Sequence, residues 1–316
     1  MRKITLAVVV VTLATPAARS AEPASFGPAA LMSRQTAGNH AEFFIAVFPF
    51  AGKEFEISIP LMPRWFAYGA SGRSVYATAL KETGPRSFTD EPGMFKIELD
   101  PVRVNTIQGL DAFGDIGPFV VSQGEDLVVS GGSKGNNYPA KSCGVYEIRL
   151  PAADIRAAIE TSDCRAGSPW RVLSLSPEGT EALILADRRL ALLDLAKGSI
   201  TKIEGQLSGG SFSPDGRWIA VLQLGDPKAP SKTILIDRTN LASRRDLGGV
   251  EDSELVWSPD SRFLLHAVYR PACPSQNPLA LETLEVQTSN RALIKDSICN
   301  SGSSRQIGWI RSDIKR

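Results

Sequence analysis

The stretch "SFSPDGRWIAVLQ" (Ser211 to Gln223) recurs as "VWSPDSRFLLHAV" (Val256 to Val268) and, more loosely, as "SLSPEGTEALILA" (Ser174 to Ala186). Ser-Pro-Asp-Gly is turn chemistry. Pro214 presets φ at the second turn position, Ser213 and Asp215 can bond to nearby backbone, and Gly216 can take the positive φ that ends the turn. Such a turn joins two antiparallel strands. The apolar run after it, with Trp218, Ile219, Val221 and Leu222, is typical of a strand buried on both faces.

Two weaker copies, "RWFAYGASGRSVYATAL" (Arg64 to Leu80) and "PFVVSQGEDLVVSGG" (Pro118 to Gly132), keep a glycine at Gly72 and Gly124. With Gly179, Gly216 and Ser261 the turn positions lie 52, 55, 37 and 45 residues apart, which suits a four-stranded propeller blade. A further strand pair follows each hairpin, as in "TILIDRTN" then "SRRDLGG", so each unit has strands a to d.

The pattern of "WSPDG", an apolar strand and then an "ILxDxxN" hairpin resembles the WD40-like repeats of the TolB type, also found in the propeller domains of prolyl-oligopeptidase-like enzymes. Ser176 to Gly179, Ser213 to Gly216 and Ser258 to Ser261 carry it, the last with Ser261 in place of glycine. The resemblance implies a β-propeller working as a periplasmic interaction module.

At the two ends, "EFFIAVFPFAGKEFEISIPL" (Glu42 to Leu61) reads as strands c and d without a and b. "SSRQIGWIRSDI" (Ser303 to Ile314) reads as strand a, running at most into b. Joined in one blade they close a ring and remove its exposed sheet edge. The fold expected is all-β, a six-bladed propeller closed by N- and C-terminal strands, with five blades as the alternative.

"MRKITLAVVVVTLATPAARSAEP" has a basic start at Arg2 and Lys3, an apolar run of 11 residues from Ile4 to Ala14, and small residues at Ala18 and Ser20. This is the pattern of a secretory signal peptide over residues 1–20, its apolar run being short for a membrane span of about 20 residues. Residues 21–38 read as a flexible lead-in and 39–316 as a single propeller domain, periplasmic or secreted. No cysteine follows the cleavage region, which disfavours a lipoprotein. Without residues 1–20 the chain has 32 basic against 34 acidic residues, a charge of −2. That balance gives no electrostatic reason for a nucleic-acid or anionic-membrane partner. The expected state is a monomer with no membrane span.

Cys143, Cys164, Cys273 and Cys299 allow three pairings. Cys143 falls where strand c of the second blade begins and Cys164 where its strand d ends. Cys273 and Cys299 hold the matching places in the fifth blade, so bridges 143–164 and 273–299 are expected. Metal-ligand spacing such as C-x-x-C is absent.

Chemistry is sparse. "GGSKG" (Gly131 to Gly135) matches G-x-S-x-G, but a nucleophile elbow needs a helix next and "NNYPAKS" follows. Only His40 and His266 could act as base, and His266 lies inside the apolar strand "RFLLHAVY". Asp111, Asp115, Glu251 and Asp252 are irregularly spaced carboxylates that read as solvated surface. No catalytic residue, cofactor or metal ligand is assigned. Trp65, Trp170, Trp257 and Trp309 fall in strands a, with Phe212 in the equivalent place, and Trp218 lies in a strand b. Their recurrence points to packing between blades. "PAADIRAAIE" (Pro151 to Glu160) reads as a short helix.

Recognition belongs to the rim carrying the b–c connections, which are long and unequal: "KETGPRSFTDEPG", "GGSKGNNYPAKS", "GDPKAPSK" and "RPACPSQNP". Arg86, Phe88, Asn137, Tyr138, Lys228 and Arg270 are the candidate contacts for an envelope protein, peptide or glycan. The alternative is a hydrolase or lyase with an acidic site in the central channel.

Overall fold

A computed structural model describes residues 26–36, 40–50, 53–80, 82–84, 87–88, 93–110, 113–124, 126–134, 142–150, 154–164, 169–225, 231–250, 254–269, 278–299 and 307–314. These form strands and no helix. In chain order, β1 (Phe26–Thr36), β2 (His40–Val47) and β3 (Phe55–Ile59) come first. Blade 1 follows with β4 (Met62–Tyr68), β5 (Ser74–Leu80), a small hairpin of β6 (Glu82–Gly84) and β7 (Ser87–Phe88), then β8 (Gly93–Leu99) and β9 (Val102–Thr106). Blade 2 has β10 (Phe113–Val121), β11 (Leu127–Lys134), β12 (Cys143–Arg149) and β13 (Asp154–Thr161). Blade 3 has β14 (Trp170–Leu175), β15 (Glu181–Ala186), β16 (Arg189–Asp194) and β17 (Ile200–Lys202). Blade 4 has β18 (Leu207–Phe212), β19 (Trp218–Gln223), β20 (Ser231–Asp237) and β21 (Asn240–Val250). Blade 5 has β22 (Leu255–Trp257), β23 (Phe263–Tyr269), β24 (Pro278–Glu285) and β25 (Arg291–Cys299), and β26 (Ile307–Arg311) ends the series.

Each blade is a four-stranded antiparallel sheet, and the sixth has the order β26-β1-β2-β3. The ring has six blades, not five. Six buried apolar clusters occupy its six interfaces. One joins blades 6 and 1 through Leu31, Ile45, Val75 and Ile97, and the next joins 1 and 2 through Tyr76, Met94, Val129 and Ile148. Blades 2 and 3 share Val145 and Ile184, and blades 3 and 4 share Leu183 and Ile219. Blades 4 and 5 share Leu235 and Leu264, and 5 and 6 share Leu265 and Phe44. In β15, Leu183 faces one neighbour while Ala182 and Ile184 face the other. Burial on both faces is why the b and c strands read as unbroken apolar runs.

The repeated turn is built as its chemistry requires. The Gly216 N–H donates to Ser213 O at 2.9 Å, and Gly216 has φ 73°. The buried Ser213 hydroxyl donates to Asp215 Oδ1 at 2.5 Å and accepts from the Trp218 N–H at 2.9 Å. Ser258 repeats both bonds with Asp260 and the Phe263 N–H. Ser261 holds the glycine position at φ 58°, and its hydroxyl accepts from the Asp215 N–H of the neighbouring turn at 3.0 Å. A glycine could not supply that link.

The seam differs from the expected split. The C-terminal part supplies strand a alone, and the N-terminal part supplies b, c and d. Residues 26–36, expected within a loose lead-in to a domain starting at 39, form β1, which pairs with β26 from Phe26↔Arg311 to Ala30↔Ile307. Ala29, Ala30, Leu31 and Met32 are buried there, so apolar burial on both faces outweighs an Ala- and Pro-rich composition. Since β26 and β1 come from distant parts of the chain, no Ser-Pro-Asp-Gly turn joins them. Arg73 of blade 1 reaches Asp313, just after β26, at 3.1 Å, and Lys295 pairs with Glu54 at 2.9 Å between blades 5 and 6. Residues 1–20, expected to be a signal peptide, lie outside the described residues.

The helix expected at Pro151 to Glu160 is replaced by β13, paired with β12 from Cys143↔Thr161 to Arg149↔Asp154. Cross-strand contacts override alanine's helix preference. The Tyr146 hydroxyl donates to Glu160 Oε1 at 3.0 Å, Arg156 pairs with Glu147, and the Cys143–Cys164 disulfide ties the ends of the two strands. This bridge, across a sequence separation of 21, is worth about 3 kcal/mol in the loop-entropy account. Cys273 lies outside the described residues, and with it the second expected bridge. The Gly131–Lys134 part of "GGSKG" continues β11, which is not the strand-to-helix elbow of a hydrolase.

His266 is fully buried in β23 opposite Glu282, and neither ring nitrogen has a hydrogen-bond partner among the described residues. Glu282 Oε2, 3.8 Å from Nε2, is too far for a hydrogen bond. Burial, helped by the charge of Arg291, lowers the His266 pKa to about 4.

Replacing Ser213 with Ala leaves the Trp218 N–H without its acceptor and should cost about 2 kcal/mol, read as a lowered denaturant midpoint at unchanged slope. Between pH 6.5 and about 4 the unfolded chain protonates His266 while the folded chain does not. Stability should therefore fall by up to about 3 kcal/mol on acidification through that window. His266→Gln should flatten this part of the melting-temperature profile relative to the parent protein.

Candidate functional site

Because strands alternate in direction, the a–b and c–d turns share one rim and the b–c and d–a connections share the other. Arg86, Asn137, Tyr138, Lys228 and Arg270 lie outside the described residues, as do Asp111, Glu251 and Asp252. The strands flanking the five contact candidates in sequence, β5 and β8, β11 and β12, β19 and β20, β23 and β24, have their facing ends on the second rim. Phe88 ends β7, paired with Glu82 of β6, within the b–c connection of blade 1.

The six inner strands β4, β10, β14, β18, β22 and β26 surround a central cavity of about 690 Å³. Four of them carry a bulge, between Pro63 and Trp65, Ile116 and Phe119, Val172 and Ser174, and Ser208 and Gly210. Bulges sharpen local twist and re-aim side chains. At the fourth, Gly209 has φ 66° and nothing within 4 Å of where a Cβ would stand, so the wall opens there.

The aromatics at the ends of the inner strands pack between blades, as their recurrence implied. The Trp257 Nε1–H donates to Ser211 O of blade 4 at 3.0 Å, and the Trp309 Nε1–H donates to Val256 O of blade 5 at 3.3 Å. Ser211 Oγ returns a bond to Leu255 O at 2.7 Å. On the turn-side rim Arg238 reaches from blade 4 to Glu178 and Glu181 of blade 3, each at 2.8 Å. These links fix the channel wall.

Among the described residues the channel lining holds one guanidinium, Arg171, and one carboxylate, Glu254. The strand register puts them in one layer. Arg171 pairs with Leu185, Ser208 with Leu222 and Trp65 with Thr78, each partner nine residues past the first turn residue, Ser176, Ser213 or Gly69. Leu255 pairs with His266, eight past Ser258, so Glu254 falls in the same layer. Because the inner strands begin on the loop side, this layer lies toward the second rim. The sequence held the signal, since aligning the turns also aligns these positions. Their unlike residue types hid it.

Tyr68 lies against Gly308 of β26, where a Cβ would stand 2.2 Å from its ring. Burial raises the Tyr68 phenol far above its ordinary pKa, and the Glu254 charge adds to the rise. The ring of a blade 1 residue thus crosses the bare inner strand of blade 6 toward an acid of blade 5.

A closed ring of four-stranded blades around a polar-edged channel defines a β-propeller, and its fold is TolB-like. The sequence matches no family description and no curated protein. TolB from Acinetobacter baumannii matches with a TM-score of 0.65 at 16% identity, over 90% of this chain and 66% of that one. A chain of the nidogen/laminin complex matches at 0.58 and 10% identity, over 90% and 98%. Puromycin hydrolase matches at 0.52 and 15% identity, over 86% and 46%. At these identities the likeness is one of fold. Among the described residues no group of histidine, cysteine and acidic side chains could hold a metal, and no helix is long and apolar enough to cross a membrane.

Gly308→Ala should force Tyr68 off the inner strand and cost about 1–3 kcal/mol in denaturant unfolding. Adding Tyr68→Ala should return part of that loss in a double-mutant cycle. Simple additivity would refute the contact.

Proposed function

We propose that the protein is an exported, non-catalytic binding module of the cell envelope that recognises a protein, peptide or glycan through its b–c loop rim. The observation that carries the reading is the division of the molecule. Six interlocked blades form the base, and in blades 1, 2, 4 and 5 the strand ends on one rim are joined by connections that the sequence makes long and unequal. Rigid scaffolds that present variable loops are the usual ground for recognition.

The fold likeness to TolB and to a chain from a protein complex supports the same reading. The Cys143–Cys164 bridge fits an oxidising compartment such as the periplasm or the cell exterior. A hydrolase or lyase site in the channel would call for converging carboxylates, and the described lining contributes Glu254 alone. The likeness to puromycin hydrolase spans 46% of that chain. Binding is therefore the better-supported activity.

Cross-linking in the native envelope, followed by mass-spectrometric identification, should recover a specific partner. Alanine at Arg86, Tyr138 and Arg270 together should abolish its capture while leaving the melting temperature unchanged. Undiminished capture by that variant would discredit the rim.

A further inference from the structure

The bipolar layer of the channel is not needed for recognition by the loops. Arg171 is exposed to the channel and meets no carboxylate among the described residues. Arg73, Arg156, Arg238, Arg262 and Arg311 each do. Between Arg171 of blade 3 and Glu254 of blade 5 stands Ser208 of blade 4. The next residue, Gly209, is outside the β18–β19 ladder and borders open space. Trp65, in the same layer on blade 1, has a buried indole N–H with no hydrogen-bond partner among the described residues. Leu173, Val256 and Trp257 supply apolar surface to the same cavity.

Opposite single charges in one concave, partly apolar layer select for a matching pair of charges. A polyanion would meet Glu254, and a simple cation would meet Arg171. A neutral sugar would cover Arg171 and bring it no counter-charge. The cavity volume is within the range of small-molecule sites, roughly 300–1,000 Å³.

We propose that this layer binds a small amphipathic zwitterion of the free amino-acid class. The ligand carboxylate pairs with Arg171 and accepts from Ser208, its ammonium faces Glu254, and its apolar body rests on the channel wall. Arg171 suits the carboxylate because its planar fork can bond both oxygens at once. This site goes beyond the loop-rim reading and does not depend on it.

The test is calorimetric titration of the full mature protein with L-phenylalanine, with 3-phenylpropanoate, which lacks the ammonium, and with 2-phenylethylamine, which lacks the carboxylate. The parent protein should bind phenylalanine more tightly than either analogue. Arg171→Gln should weaken phenylalanine and phenylpropanoate by about ten- to hundredfold and leave phenylethylamine unchanged. Glu254→Gln should weaken phenylalanine and phenylethylamine and spare phenylpropanoate. Circular dichroism should show both variants folded, as expected for exposed side chains. No heat of binding with phenylalanine, equal affinity for all three compounds, or unchanged affinity in either variant would overturn the proposal. Partner capture by the loop variant reports on the other surface alone, so the two readings fail separately.

Discussion

A blade of this protein is a sheet with two apolar faces, and that constraint shapes the whole molecule. A sheet buried on one side needs one neighbour, while a sheet buried on both needs two. Six such sheets satisfy one another only when the last meets the first. The buried clusters do this without a gap, passing from Leu31 and Val75 at the seam through Tyr76, Ile184, Ile219 and Leu264 back to Leu265 and Phe44.

Polar links then set how the blades lie against one another. Apolar contact between two sheets is tolerant of small slips, whereas a hydrogen bond from an indole to one carbonyl is not. Trp257 and Trp309 each bond the inner strand of the preceding blade, and Ser261 joins one turn to the next. These bonds pin the channel wall where blade 4 meets blade 5 and where blade 5 meets blade 6. A charged layer such as that of Arg171 and Glu254 is useful for recognition only on such a wall, where the spacing of its groups is set in advance.

The architecture was legible where local chemistry repeats. Ser-Pro-Asp-Gly states its own conformation, so the turns at Ser176, Ser213 and Ser258 could be read directly. Ser122 in blade 2 keeps part of it, its hydroxyl accepting from the Asp126 N–H at 3.0 Å. β1 was missed because the sixth blade has no turn between strands a and b, leaving no motif to flag Phe26–Thr36. β13 was misread because alanine's preference is local, while its pairing with Tyr146 and Glu147 is set by the sheet. The inter-blade place of the aromatics was readable from recurrence. The channel layer was not, because Arg171, Ser208 and Glu254 share a position and no chemistry.

The seam also settles the order in which the molecule can be completed. Phe26 and Arg311 are 285 positions apart, whereas the strands of every other blade come from one stretch of chain. Pairing at so large a separation carries the heaviest chain-closure entropy in the fold. During folding, blades 1 to 5 can take shape from their own segments, but the circle stays open until β26 pairs with β1. Until then β1 presents a bare inner edge, open to pairing with a strand of another chain.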